Sequence, residues 1–452
     1  MNAKTLTLSD LILNRKGTVT FRVILAAFGI ALRFFFRRIE TVNADNVPKQ
    51  GGLIFVLNHP NGLIDPAMVF VSLPRRISFL AKSTLFRLPV ISFLLKTVEA
   101  LPLYRRVDTG EDVSQNLRTF VAARELLHRG GSIALFPEGV SHNSPKLLPA
   151  KTGAARIALG AASVRSDGEP MTVTFVPVGL FYTNKTTFRS EAVVHFGEPF
   201  AIGPVEPDAD GEPPREAVRE LTQRIEDEIR EVTLNAESDA ELETAYIAER
   251  IFAAARESDL VGERLEFLRN YVAEKRLQGS DLESRILDFD RRLAESGLEP
   301  GHLSLAQFST KFVVWQAFAQ SWLLLILSPL AAVGTVLHFP AYQLCKLLAR
   351  IYAKHGADDI ASTVKVLAGM LFVPLTWLIT AAVIYFLFGW IAAIVSIPLS
   401  FACGYAALYC LEETTELSGW ARAIWMFLTR KEAFLRLFIQ RRDLQRELSA
   451  FD

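Results

Sequence analysis

The sequence predicts an α/β domain that is attached to a membrane by segments on both sides of it. Between residues 41 and 214, short apolar runs typical of strands alternate with stretches of helical periodicity, which is the pattern of an α/β fold. Residues 215–310 are charged and helical in pattern, and residues 311–452 contain two long runs without Asp, Glu, Lys or Arg. The chain is 50% apolar with zero formal net charge, so the membrane assignment depends on where the apolar residues lie.

The first segment, residues 1–40, is expected to form an amphipathic helix at the membrane surface. Residues 19–39 are mostly apolar but include Arg22 and Arg33 and close on two more arginines. A helix that crossed the bilayer would bury Arg22 and Arg33 at a cost of several kcal/mol, whereas an interfacial helix lets both side chains reach the lipid headgroups. An ordinary helix packed on the domain is the alternative.

The α/β domain is expected over residues 41–214. Its predicted strands are apolar and its predicted helices carry apolar residues at helical spacing: strands 53–57, 77–81, 132–136, 172–178 and 192–196, helices within 111–129 and 152–163. A stretch rich in Pro, Gly and acidic residues (201–214) ends the domain as a linker or loop. The charged residues 215–310 predict an amphipathic helical subdomain, with a solvated charged segment as the alternative.

The C-terminal region, residues 311–452, predicts membrane helices. The run 366–411 has 46 residues without a charged side chain, enough for two helices of about 20 residues each, and Gly389 near its middle can form the turn between them. Basic residues flank this run at 346–365 and at 420–446, so the positive-inside tendency favours a helical hairpin followed by a basic cytoplasmic tail. A large buried helical core is the alternative.

The preceding charge-free run, residues 312–345, is harder to place. It contains Pro329 and Pro340, which interrupt it. A single crossing would also put the basic residues that follow it outside the cytoplasm. We therefore expect a re-entrant or membrane-dipping segment here.

Composition and motifs argue against several classes of function. Zero net charge argues against a protein that binds nucleic acid through its overall charge. The three cysteines have neither zinc-site nor disulfide spacing, and the sequence has no Walker A, GxGxxG or GxSxG pattern. We therefore expect no metal, no resident cofactor and no nucleic-acid partner.

The densest group of reactive side chains follows the first predicted strand. Residues 58–66 read NHPNGLIDP and place Asp65 six positions after His59. On a continuous helix these two side chains would lie about 240° apart, so they can face one site only if the turn formers at 60–62 reverse the chain. A carboxylate that accepts from one imidazole nitrogen fixes the tautomer and makes the other nitrogen a general base. A capped or core histidine is the alternative for His59.

A second group follows the predicted strand 132–136. The sequence FPEGVSH includes Glu138, Gly139 and Ser141, and Lys151 follows where a helix begins. Backbone amides at the end of a strand, together with a lysine near a helix N-terminus, can hold an anion such as a phosphate. A surface turn is the alternative.

Two shorter motifs complete the set. Lys82 and the run LPLYRR (101–106), which contains Arg105, supply further cations, and VPVG (176–179) ends another strand. In this order, NHPNGLID, LPLYR, FPEGVSH and VPVG resemble the four sequence blocks of the glycerophospholipid acyltransferase family. The longer pieces NHPNGLIDP and FPEGVSHNSPKLLPAKTGAARIAL are most similar to the fungal-type glycerol-3-phosphate/dihydroxyacetone-phosphate acyltransferase branch and its bacterial relatives.

The resemblance implies an enzyme of phospholipid biosynthesis. It would move a fatty acyl group from a thioester, acyl-CoA or acyl-carrier protein, to the sn-1 hydroxyl of glycerol 3-phosphate or dihydroxyacetone phosphate. His59 would be the general base and Asp65 would orient it, with substrate-binding roles for Lys82, Arg105, Glu138, Gly139, Ser141 and Lys151. Five residues separate His59 from Asp65 where the family's commonest block has four; the branch named above shares the longer spacing.

Two other functions stay open. The acceptor can instead be lysophosphatidate or another lysophospholipid, and a transporter or membrane anchor that has lost catalysis is a third possibility. The presence of His59, Asp65, Glu138 and Gly139 argues against that third possibility. Residues 1–18 lack a clean apolar run, so we expect the catalytic domain on the cytoplasmic face of a membrane. Short internal loops and the absence of targeting signals favour a bacterial inner membrane over the endoplasmic reticulum.

Overall fold

The computed structural model describes most of the chain: residues 2–7, 9–10, 18–73, 75–87, 89–105, 108, 110–163, 171–209, 211–254, 260–274, 280–303, 310–352 and 358–451. The chain divides into two compact units. The first contains Met1–Glu237, Leu260–Leu265 and Ala353–Val366, and the second contains Ser238–Asp259, Glu266–Tyr352 and Leu367–Asp452.

A mixed sheet organises the first unit. Its nine described strands are β1 (Ala3–Thr5), β2 (Phe36–Val42), β3 (Leu53–Leu57), β4 (Ser78–Lys82), β5 (Leu101–Leu103), β6 (Ser132–Leu135), β7 (Val173–Tyr182), β8 (Ser190–Phe196) and β9 (Phe200–Ile202). Their order is β1-β2-β8-β7-β3-β6-β4-β5, with β9 paired to β7. Strands β7, β3, β6, β4 and β5 run parallel, so the ends of β3 and β6, where both reactive groups of the sequence begin, lie at the same edge of the sheet.

Among the described residues, six α-helices lie wholly within this unit: α1 (Val19–Phe35), α2 (Ile64–Ser72), α3 (Pro89–Thr97), α4 (Asn116–His128), α5 (Gly153–Ser163) and α6 (Arg215–Val232). All five predicted strands are present, whereas β1, β2, β5 and β9 were not predicted. Helix α6, which the sequence assigns to the charged segment 215–310, packs into the core beside the sheet. Its apolar residues recur at helical spacing and form one buried stripe: Val218, Leu221, Ile225 and Ile229.

The N-terminal helix is shorter than predicted. It ends at Phe35, and the next residues, including Arg37 and Arg38, form strand β2 instead of the end of a helix over 19–39. Pairing with β8 stabilises this strand conformation. One face of α1 is buried, while Val19 and Val23 are exposed on another. The helix thus has one face packed on the protein and apolar side chains exposed on another, and its amphipathic association with a membrane surface stays a prediction.

Seven more helices follow: α7 (Asp239–Ala253), α8 (Val261–Glu274), α9 (Ser280–Glu295), α10 (Thr310–Tyr352), α11 (Asp358–Phe388), α12 (Trp390–Thr429) and α13 (Lys431–Leu448). Within the described residues, three segments are long and apolar enough to cross a membrane: Trp322–Tyr352 in α10, Ala361–Phe388 in α11, and Trp390–Thr429 in α12.

Residues 312–345, predicted to form a re-entrant or membrane-dipping segment, lie within the single helix α10, which continues through Pro329 and Pro340. Whether this helix crosses a membrane or dips into it stays a prediction. Close packing on α12 supports this long helix, since a Cβ at Gly334 would collide with the carbonyl of Cys403. Gly389, the predicted turn, separates α11 from α12 with a φ of 85°.

The glycine of the VPVG motif gives a test of the packing between β7 and α6. A Cβ on Gly179 would overlap the carbonyl oxygen of Val232, the last residue of α6. We predict that Gly179→Ala destabilises the protein by about 1–3 kcal/mol, the usual cost of overpacking. Thermal unfolding in detergent measures this, with Gly203→Ala as the control because its Cβ meets no atom within 4 Å. Equal melting temperatures for the two variants would contradict the prediction.

Candidate active site

The first reactive group is held in place by the side chain of Asn58, directly after β3. The Asn58 amide nitrogen donates to the carbonyl of Leu180 at 3.0 Å, and the Leu180 N–H donates to the Asn58 amide oxygen at 2.8 Å. The side chain therefore takes the place of one more backbone pair between β3 and β7. As a result, the loop that follows leaves the sheet from a fixed point.

The loop after Asn58 brings His59 and Asp65 together. The distance from His59 Nδ1 to Asp65 Oδ2 is 2.8 Å, and the Asn61 N–H donates to the same carboxylate oxygen at 2.7 Å. The chain reverses at Gly62, where φ is 44°, and the Ile64 N–H closes the turn on the Asn61 carbonyl at 3.0 Å. His59 thus lies before α2 and Asp65 in its first turn, which is the chain reversal that the spacing requires.

One nitrogen of the His59 imidazole, Nδ1, is hydrogen-bonded to Asp65, and the other, Nε2, is the candidate general base. Because Nδ1 donates to the carboxylate, Nε2 carries the lone pair in the neutral ring. The ring stacks on Phe136, with 3.9 Å between centroids and 15° between planes. The His59 side chain is 18% exposed and that of Asp65 is fully buried, so only the histidine of the pair is accessible to a substrate.

Tyr182, at the end of β7, is a third member of this group that the sequence analysis missed. Its hydroxyl donates to Asp65 Oδ1 at 2.7 Å. Burial, and then the charge of Asp65, raises the pKa of Tyr182 well above its ordinary value. The phenol therefore stays protonated and acts as a donor. The predicted strand 172–178 ended four residues too early to include it.

Glu138 orders the second loop against the first. It is buried, and its Oε1 accepts the His59 N–H at 2.9 Å. Its Oε2 accepts from the Leu148 N–H at 2.8 Å and from Nε2 of His142. The His142 N–H in turn donates to the His59 carbonyl at 3.2 Å. Both carboxylate oxygens thus have protein donors, so Glu138 links its own loop to the backbone of His59.

Two of the other predicted residues, Arg105 and Lys151, lie beside Gly139. Gly139 has a φ of 73°, and the Lys151 ammonium occupies the space that a Cβ would take there. Nη1 of Arg105 donates to the Gly139 carbonyl at 2.8 Å. Two cations therefore flank the residue next to Glu138, which itself contacts His59. Ser141 lies in the loop that follows and is half-buried.

Lys82 joins this group through Asp108, which the sequence analysis did not single out. Lys82 Nζ lies 2.9 Å from Asp108 Oδ1, and Nε of Arg105 lies 3.0 Å from Oδ2. Hydrogen bonds from Arg105 and then from Lys82 lower the pKa of Asp108 to about 2. The carboxylate is therefore ionised at neutral pH, and it holds the two cations side by side. Asp108 has no motif of its own, so only the fold reveals it.

Comparison with known proteins identifies two domains in the chain. Residues 38–180 match the family model described as Acyltransferase, and residues 264–451 match the model described as Glycerol-3-phosphate acyltransferase 2 C-terminal domain. Residues 38–180 therefore form an acyltransferase domain. More particularly, the chain joins this domain to a C-terminal domain of the second type.

Among its relatives are two proteins of Saccharomyces cerevisiae. The chain is 28% identical to glycerol-3-phosphate O-acyltransferase 2 over 62% of its own length and 40% of that protein. It is 28% identical to glycerol-3-phosphate O-acyltransferase 1 over 77% of its own length and 59% of that protein. A chloroplastic 1-acyl-sn-glycerol-3-phosphate acyltransferase of Brassica napus is 28% identical over 36% of this chain and 43% of that protein. The chain thus spans 40% and 59% of the two yeast relatives.

Removal of the Tyr182 hydroxyl tests how far Asp65 depends on it. We predict that Tyr182→Phe lowers turnover about tenfold, because Asp65 Oδ1 loses a charge-assisted hydrogen bond of about 1.5–3 kcal/mol and no longer holds the His59 ring as firmly. Initial rates of acyl transfer and thermal unfolding measure the two effects. Tyr271→Phe, at a buried tyrosine of α8, is the control for loss of a phenol. A Tyr182→Phe enzyme as active as the control would refute the role.

Proposed function

We propose that this protein is a membrane-bound O-acyltransferase that moves a fatty acyl group from an acyl thioester to the sn-1 hydroxyl of glycerol 3-phosphate. The observation that carries the proposal is the His59–Asp65 pair, held at 2.8 Å with Nε2 of His59 as the remaining acceptor. The cations beside Gly139, which adjoins this pair through Glu138, support a phosphate-bearing acceptor.

In the proposed reaction, Nε2 of His59 takes the proton of the acceptor hydroxyl while the oxygen attacks the thioester carbonyl. The new C–O bond forms, the C–S bond breaks, and the imidazolium returns its proton to the departing thiolate. Asp65 stabilises the positive charge on His59 during this sequence and holds the ring in position. General base catalysis of this kind contributes about 10²- to 10⁴-fold in rate.

The acceptor's phosphate is proposed to bind at Arg105 and Lys151, with Lys82 nearby on Asp108. Arg105 is held by Asp108 and by the Gly139 carbonyl, so part of the cost of ordering it for a phosphate is met before binding. The exposed Lys151 adds a second positive charge beside Gly139. Glu138 is negatively charged and already bonded on both oxygens, so its proposed part is to fix the loop. Ser141 is proposed as a further acceptor contact.

The proposed acceptor follows from the relatives that align with the larger share of this chain. The yeast glycerol-3-phosphate acyltransferases align with 62% and 77% of this chain, and a glycerol-3-phosphate acyltransferase C-terminal model matches residues 264–451. The Brassica napus 1-acyl-sn-glycerol-3-phosphate acyltransferase aligns with 36%. Glycerol 3-phosphate is therefore the proposed acceptor, dihydroxyacetone phosphate a related one, and lysophosphatidate the second candidate.

A membrane location suits this reaction. The acylated product carries a long chain, and each CH₂ exposed to water costs about 0.8 kcal/mol, so release into lipid is favoured. The three long apolar helices can supply the anchor, and the exposed apolar face of α1 can rest on the membrane surface. We propose that the catalytic unit faces the cytoplasm, with a bacterial inner membrane preferred to the endoplasmic reticulum and acyl-CoA or acyl-carrier protein as the donor.

The proposal is tested by an acceptor comparison. Membranes containing the full chain, supplied with labelled acyl-CoA or acyl-carrier protein, are expected to acylate glycerol 3-phosphate at least tenfold faster than lysophosphatidate. His59→Ala is expected to lower the rate about 10²- to 10⁴-fold with membrane association unchanged, because the base is lost. His128→Ala, whose ring bonds only the Ala161 carbonyl, is the matched control and should stay near wild type.

Two results would contradict the proposal. Equal rates with both acceptors would remove the preference for glycerol 3-phosphate. A His59→Ala enzyme with wild-type turnover would remove the general base and with it the proposed mechanism.

A further inference from the structure

Three side chains at the start of α11 hydrogen-bond to loops that surround His59. The Thr363 hydroxyl accepts from the Leu63 N–H at 3.1 Å. Ser362, which is fully buried, donates its hydroxyl to the Lys185 carbonyl, and Lys365 Nζ donates to the Thr186 carbonyl at 2.6 Å. All of these residues lie in the first compact unit, although residues 264–451 match the C-terminal domain model.

Leu63 lies at the point where the loop between His59 and Asp65 becomes helix α2. It is the N-cap residue of that helix, and leucine has no side-chain oxygen with which to cap it. Within the loop, the Asn61 N–H is used by Asp65 and the Ile64 N–H by the Asn61 carbonyl. Thr363 provides the acceptor for the Leu63 N–H from a position 300 residues further along the chain.

Ser362 and Lys365 hold the second side of the site through the connection between β7 and β8. Their partners, Lys185 and Thr186, belong to this connection. The Lys185 ammonium lies 3.5 Å from the His142 carbonyl and 3.4 Å from the Asn143 side-chain oxygen. The loop that carries Glu138 and His142 is therefore linked to the start of α11 as well.

Two other threonines of α11 make hydrogen bonds only of the kind found within a helix in the contacts described for them. The hydroxyls of Thr376 and Thr380 donate to carbonyls one turn back in their own helix, Phe372 and Thr376, each at 2.8 Å. This is the common arrangement for a threonine inside a helix. Thr363 instead bonds a main-chain N–H of the catalytic loop, so its hydroxyl fixes a different segment of the chain.

We infer that the first turns of α11 are a positioning element for the catalytic loop, and that the Thr363 hydroxyl is the group that fixes Leu63 and so the separation of His59 from Asp65. The inference rests on the proposed function. It gives the C-terminal region a part in acyl transfer besides anchorage. It also ties the site to a segment, Ala361–Phe388, that is long and apolar enough to cross a membrane.

The test uses three variants of the full chain in detergent micelles with phospholipid. Thr363→Val keeps the shape of the side chain and removes the acceptor, Thr363→Ser keeps the hydroxyl, and Thr376→Val is the control on the same helix. Loss of one neutral hydrogen bond is expected to lower kcat about three- to tenfold for Thr363→Val, with KM for the acceptor unchanged. Thr363→Ser is expected to restore most of kcat, and Thr376→Val to match wild type.

Amide hydrogen exchange over residues 58–66 gives a second measurement that does not require knowledge of the substrate. Thr363→Val should increase exchange in this segment about fivefold or more, because the Leu63 N–H loses its partner, while Thr376→Val should not change it. Unchanged exchange and unchanged kcat in Thr363→Val would overturn the inference, as would equal losses in Thr363→Val and Thr376→Val. If the wild type acylates no glycerophosphate, the proposed function fails, while the exchange result still decides whether Thr363 fixes the loop.

Discussion

Asp65 is fully buried, and an ionised carboxylate is stable away from water only where hydrogen-bond donors surround it. Its donors come from three places: the imidazole of His59 after β3, the Asn61 N–H within the loop, and the hydroxyl of Tyr182 at the end of β7. The three hydrogen bonds to this one carboxylate therefore fix the shape of the loop and the orientation of the histidine, and they connect the loop to the end of β7.

The rest of the site extends this arrangement outward. Glu138 bonds the His59 N–H and thereby fixes the second loop, and Gly139 next to it is flanked by Arg105 and Lys151. A base and a group of cations consequently share one continuous set of hydrogen bonds. In the proposed reaction this matters, because a hydroxyl and a phosphate of one small acceptor must be held at once.

Those parts of the fold that depend on a local pattern of apolar residues could be predicted from the sequence. Strand β3 is a run of five fully buried apolar residues, so its bounds follow from composition. Strand β5 has three residues and is too short to show an alternating pattern. Strand β2 (FRRIETV) follows α1 directly and begins with the same mixture of apolar residues and arginines, so its strand conformation depends on pairing with β8. The helix at Pro329 and Pro340 was missed because proline marks a break in sequence, whereas packing between long helices can preserve the helix.

The candidate site divides in the same way. His59, Glu138 and Gly139 lie in compact motifs and could be named from the sequence. Tyr182 and Thr363 could not, since they meet their partners across 117 and 300 positions, and the partner of Thr363 is a main-chain N–H that any residue would supply. Such contacts produce no recognisable motif in the sequence, because the fold alone brings their residues together.

Whether Asp65 holds His59 as a base with Nε2 as the acceptor can be measured on the imidazole itself. Nitrogen-15 spectra of histidine-labelled protein in detergent at about pH 8, above the ordinary histidine pKa, distinguish the two ring tautomers. His59→Gln identifies the resonances. We predict that the His59 ring carries a proton on Nδ1 and none on Nε2. A His59 that carries its proton on Nε2 would contradict it.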